Sequence, residues 1–96
     1  GEIGVRALCA VWQVERSPDI VDWPVASNVP TLILSGHLDP ITPTAWARRL
    51  ADGLADAVLV ESERWAHAPS MSDPCAAHLV ARFLDGERPL PGLARC

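Results

Sequence analysis

The stretch that most constrains this chain is Thr31-Leu32-Ile33-Leu34-Ser35-Gly36-His37-Leu38-Asp39-Pro40-Ile41-Thr42-Pro43, an apolar run that stops abruptly in glycine, an acid and two prolines. Apolar and β-branched residues in an unalternating run fit a strand covered on both faces, as in a parallel sheet flanked by helices. Pro30 stands immediately before the run, where a missing N–H does least harm. Asp39 then falls just past the strand's carboxyl end, the edge at which open α/β sheets bind their ligands.

The next residues build a second strand beside the first. Thr42-Pro43 reads as a helix start, a hydroxyl cap followed by proline in the first turn. The spacing predicts a helix from Pro43 to Leu54, with Trp46, Ala47, Leu50, Ala51 and Leu54 on one face and Arg48, Arg49 and Asp52 on the other. Ala57 to Glu61 is the next apolar run. Strand, helix and strand at this spacing make one right-handed βαβ unit, whose strands are parallel and whose carboxyl ends share an edge. A loop from Ser62 to Asp73 carries Trp65, His67 and Pro69. Asp73-Pro74 caps a second helix, Pro74 to Asp85, with Ala76, Leu79, Val80, Phe83 and Leu84 inward and His78, Arg82 and Asp85 outward. Gly86 ends it, and Glu87 to Cys96, with two prolines and a glycine, reads as an irregular return strap.

The lead-in, residues 1–29, is less informative. Val5, Leu8, Cys9, Val11 and Trp12 are arranged as a helix allows. Gln13 to Val29 read as an irregular connector that Trp12 and Trp23 pin down by burial. The lobe proper is 30–96. Two strands leave two edges of unpaired backbone groups, so the sheet is expected to continue in strands outside these residues, supplied by another chain or by the rest of a longer protein.

Size and composition agree with a partial α/β unit. A chain of 96 residues buries only roughly 60–65% of its unfolded surface, so its core is expected to be thin. The net charge of −4 and the lack of any Lys/Arg cluster exclude nucleic acid and anionic membrane surfaces as partner classes. No apolar stretch approaches the roughly 20 residues of a membrane span, and no basic, then apolar, leader opens the chain. Cys9, Cys75 and Cys96 form no Cys-x-x-Cys pair. They are either three buried thiols or, in an oxidising compartment, an odd set that leaves one without an internal partner.

The chemistry centres on Asp39 and His67, one on each strand-end loop of the βαβ unit. A carboxylate bonded to one imidazole nitrogen fixes the tautomer and leaves the other nitrogen free to take a proton from a nucleophile. Asp-Pro after glycine is also a common turn in its own right, so the pattern alone leaves Asp39 open between the two roles. His37, in the turn, and Trp65, beside the histidine loop, are weaker candidates for contact with substrate; Trp65 reads more simply as a hydrophobic anchor. His37, Asp39 and His67 lack the close ligand spacing of a metal site, and no metal or cofactor is expected.

The stretch PTLILSGHLDPITPTAWARRLADGL, then a strand, a histidine and Pro74-Cys75-Ala76-Ala77-His78-Leu79-Val80-Ala81-Arg82-Phe83-Leu84, resembles the C-terminal lobe of α/β-hydrolases of the tripeptidyl aminopeptidase type. The likeness extends to Cys9-x-x-Trp12 and to the Leu90-Pro91…Cys96 end. The family's Gly-x-x-Asp-Pro-x-Thr-Pro pattern is matched by Gly36, Asp39, Pro40, Thr42 and Pro43. The resemblance implies a partial α/β-hydrolase fold, a C-terminal βαβα unit with two parallel strands and the N-terminal strands lying elsewhere. It implies that Asp39 is the acid and His67 the base of a Ser-His-Asp triad, in the chain order Ser…Asp…His. It also implies a Cys75–Cys96 disulfide, worth about 3 kcal/mol for a loop of this length, and leaves Cys9 to pair with the absent part.

Two departures stand out. The family flanks its histidine with glycine, whereas Ala66 and Ala68 stand here, which implies a stiffer loop. No Gly-x-Ser-x-Gly nucleophile elbow occurs in these residues; Ser35-Gly36 lies on the strand leading to the acid. The expectation is therefore a portion of a serine hydrolase that acts on a peptide or ester, aminopeptidase-like and exported to the cell envelope or beyond. It is inactive alone, because an N-terminal lobe carries the serine. The alternatives are an esterase or lactonase lobe on the same scaffold, or a non-catalytic binding module that stands alone.

Overall fold

The computed structural model describes residues 4–15 and 25–96. The elements, in order, are α1 (Val5–Val11), β1 (Thr31–Gly36), α2 (Thr44–Gly53), β2 (Ala57–Ser62), α3 (Pro74–Leu84) and β3 (Gly92–Leu93), with a short 3-10 turn at Pro69–Met71. All three strands are parallel, in the order β1-β2-β3. This is the βαβα unit of a partial α/β fold.

The register explains where the core lies. Leu32 pairs with Val58 and Leu34 with Val60, and side chains at alternate positions share a face. Those four form one apolar face of the sheet, and Trp65, Ala76, Cys75, Leu79 and Ala94 pack against it. Val60 is 1% exposed and Ala76 fully buried. Burying a valine side chain is worth about 2 kcal/mol, so Val58 and Val60 anchor α3 to the sheet. Asp73 closes the helix start, its Oδ1 accepting from the Cys75 and Ala76 amides at 2.9 and 3.2 Å.

The opposite face is more open. The α2 positions expected to turn inward remain partly in solvent, with Trp46 58% and Leu50 41% exposed. The physical reason is width: two full strands and a two-residue third do not span the surface that a ten-residue helix covers. Leu84, expected inward, is likewise exposed, because α3 ends there, one residue before its cap at Asp85. α1 buries none of its residues, and Trp12 is exposed rather than pinned. Trp23 lies outside the described residues.

Two local expectations are corrected. The tail is not wholly irregular: Gly92, at φ 98°, turns the strap so that Gly92 and Leu93 pair with Val60 and Glu61, and the Ala94 amide donates to the Glu61 carbonyl at 2.7 Å. The Cys75–Cys96 disulfide fastens this strap to α3. Thr42 is not the cap of α2 either. Pro43 occupies that position and no side chain caps the helix; the Thr42 hydroxyl is engaged elsewhere. The edge of β1 away from β2 carries no partner strand among the described residues.

Candidate active site

The carboxyl ends of β1 and β2 are joined by backbone before any side chain is considered. The His37 amide donates to the Ser62 carbonyl at 2.9 Å and the Leu38 amide to the Trp65 carbonyl at 3.0 Å. Gly36 makes this contact possible. A β-carbon there overlaps the Trp65 carbonyl and comes within 2.7 Å of the Ala66 oxygen. The glycine of the Gly-x-x-Asp pattern is thus the seat of the loop that carries the histidine.

On this platform Asp39 and His67 meet. His67 Nδ1 lies 3.0 Å from Asp39 Oδ2. Asp39 Oδ1 accepts from the Ile41 and Thr42 amides at 2.8 and 3.0 Å, and the Thr42 hydroxyl donates to Oδ2 at 2.6 Å. The carboxylate thus makes both kinds of contact: it organises its own turn through Oδ1 and, with the Thr42 hydroxyl, through Oδ2, and the same Oδ2 meets the imidazole. Loss of solvent around the Asp39 side chain, which is 6% exposed, opposes its ionisation. The bonds from Thr42, His67 and Ile41 outweigh that opposition and hold the carboxyl far below the usual carboxylate range.

His67 has Oδ2 of Asp39 and, at 3.3 Å, Oγ1 of Thr42 around its Nδ1. The Thr42 hydrogen is directed at Asp39, so both neighbours present lone pairs to the ring, which assigns the hydrogen to Nδ1. Nε2 makes no hydrogen bond among the described residues, and the side chain is 47% exposed. The arrangement offers an oriented imidazole whose outer nitrogen can take up a proton.

The histidine loop bears a strain where the sequence departs from glycine. Ala68 sits at φ 51°, ψ 58°, the left-handed region, which costs a residue with a β-carbon about 1 kcal/mol. Its carbonyl accepts from the Met71 amide at 3.0 Å, closing the adjoining 3-10 turn.

The weaker candidates lie apart from the pair. Trp65 is 3% exposed, in the core; the cavity it borders, about 320 Å³, opens beside Ser62, Asp73, Cys75 and Cys96 and touches neither Asp39 nor His67. His37 turns to Glu61, its Nε2 2.7 Å from Oε1. Glu61 also accepts two bonds from Arg48, at 2.7 and 3.2 Å. The Arg48 guanidinium is the main cause that lowers the Glu61 carboxyl, partial burial works against it, and His37 adds to the lowering. This cluster ties α2 to both strand ends. No local pattern announces it, because its three members come from three separate elements.

A parallel strand–helix–strand unit with a carboxylate and an imidazole paired across its carboxyl edge is the late-strand arrangement of an α/β-hydrolase. The chain belongs to the TAP-like protein family of that class, whose sequence pattern matches residues 3–94. Neither the curated proteins nor the solved structures contain a match to it.

Proposed function

We propose that this chain supplies the acid and base of a serine hydrolase triad, Asp39 orienting His67 and His67 activating a serine from outside these residues. The observation that carries the reading is the 3.0 Å contact between Asp39 Oδ2 and His67 Nδ1, with Nε2 making no hydrogen bond among the described residues. In the cycle, His67 Nε2 takes the serine proton as the hydroxyl attacks an acyl carbon, then delivers it to the leaving group. Water repeats the sequence to release the acid. Membership in the TAP-like family supports a peptide or ester as substrate, with the free-N-terminus specificity of an aminopeptidase as the finer proposal. The Cys75–Cys96 disulfide is compatible with an oxidising compartment outside the cytoplasm.

The test is an active-site-directed fluorophosphonate together with an activated ester. The 96-residue chain alone is expected to remain unlabelled and to leave the ester intact. The complete gene product that contains it is expected to be labelled on a serine, with turnover reduced on the order of 10⁶-fold in His67→Ala and 10⁴-fold in Asp39→Asn. Turnover by the 96-residue chain itself, abolished by both Asp39→Ala and His67→Ala, overturns the reading.

A further inference from the structure

Thr42 belongs to no step of the proposed cycle, yet its hydroxyl makes the shortest contact in the site. Oγ1 lies 2.6 Å from Asp39 Oδ2, the same oxygen that receives His67, and 3.3 Å from His67 Nδ1. The three polar groups form a closed triangle. The amide of Thr42 meanwhile bonds the other carboxylate oxygen, Oδ1, at 3.0 Å. One residue therefore holds both oxygens of the acid, but through separable groups: the backbone sets the carboxylate's orientation, and the hydroxyl competes with the imidazole for a single oxygen.

We propose that Thr42 is a positioning residue that sets the basicity of His67, its hydroxyl drawing charge from Oδ2 and so restraining the pull of Asp39 on the imidazolium. A hydrogen bond to an ionised acceptor stabilises the charge it touches, and two donors on one oxygen each receive less of it. The inference rests on the acid–base reading of Asp39 and His67 and deepens it. Without such restraint the imidazolium formed when His67 takes the nucleophile's proton is held more tightly, and its return of that proton to the leaving group is slowed. Asp39 is the one charged group in ion-pair contact with His67 among the described residues. Glu63 and Arg64 on its own loop make no ion pair with it. Asp73, at the start of α3, has its Oδ1 bonded to the Cys75 and Ala76 amides.

The experiment is a histidine NMR titration of the full chain. His67 is assigned by comparison with His37→Gln and His78→Gln. Thr42→Val removes the hydroxyl and keeps the amide and the side-chain shape; Thr42→Ser keeps the hydroxyl. The His67 titration midpoint is expected to rise by about half a unit in Thr42→Val, with Thr42→Ser returning it close to the parent value. An unchanged or lowered midpoint in Thr42→Val, or a serine variant that behaves as the valine one, overturns the proposal. Asp39→Asn separates the two levels. A lowered midpoint there sustains the acid–base pair whatever Thr42 does, whereas an unchanged one removes the pair and the triad reading with it.

Discussion

Gly36 and Trp65 meet backbone to backbone, so closely that a single methyl group at position 36 overlaps the Trp65 carbonyl. The contact is flanked by two interloop hydrogen bonds, His37 to Ser62 and Leu38 to Trp65, so neither backbone can withdraw without breaking them. Gly36→Ala is expected to destabilise the chain by about 3 kcal/mol, the upper range for overpacking a rigid site. The loss of the Asp39–His67 contact should accompany it, and urea unfolding with His67 chemical shifts reads both.

Ala68 offers the opposite change. Its left-handed backbone is one that glycine adopts without penalty. Ala68→Gly is therefore expected to stabilise by about 0.5 kcal/mol, the relief of strain being partly offset by the greater freedom of glycine when unfolded. Thermal melting should show a rise of about 2–4 °C. A fall in melting temperature contradicts the strain assigned to this residue.

Acid should weaken the fold through Asp39. Its carboxyl is held far below the ordinary value of 3.8, so the unfolded chain takes up the proton first as pH falls. The stability this group contributes is complete above about pH 5 and drains away as pH drops toward the folded-state value. Asp39→Asn lacks that slope. The gap in urea midpoint between parent and variant is expected to be widest near neutrality and to narrow progressively below about pH 5.

The disulfide acts as one element. Cys75→Ser, Cys96→Ser and the double variant are each expected to lose about 3 kcal/mol, with the double no worse than either single, because all three open the same loop. Chemical denaturation under non-reducing conditions measures it. Additive losses indicate instead that the two sulfurs contribute separately.

How far the sequence can be read depends on whether a signal is local or tertiary. The apolar runs at Leu32–Leu34 and Val58–Val60 declare two strands, although only Val58 and Val60 are buried and the face under α2 stays open; a right-handed crossover then leaves little freedom, and Asp39 and His67 must arrive at the same edge. Thr42 is harder to read. A hydroxyl before proline is a local helix-start signal, but the carboxylate three residues back is a stronger acceptor for that hydroxyl than the helix amides are donors to it. β3 is two residues of backbone pairing with no side-chain pattern to betray it. The exposure of Trp46 and Leu50 is invisible to periodicity, which states which face of a helix is apolar and not how wide the surface beneath it is. The His37–Glu61–Arg48 cluster joins three elements through side chains alone.

The strap at Gly92–Leu93 gives the sheet a direction. On one border β3, with the Cys75–Cys96 bridge just beyond it, terminates the ladder at Val60 and Glu61. The other border, β1, is six residues long and pairs on its outer side with no further strand among the described residues. A strand arriving from outside these residues therefore finds its long template at β1, and the strap confines extension of the sheet to that side.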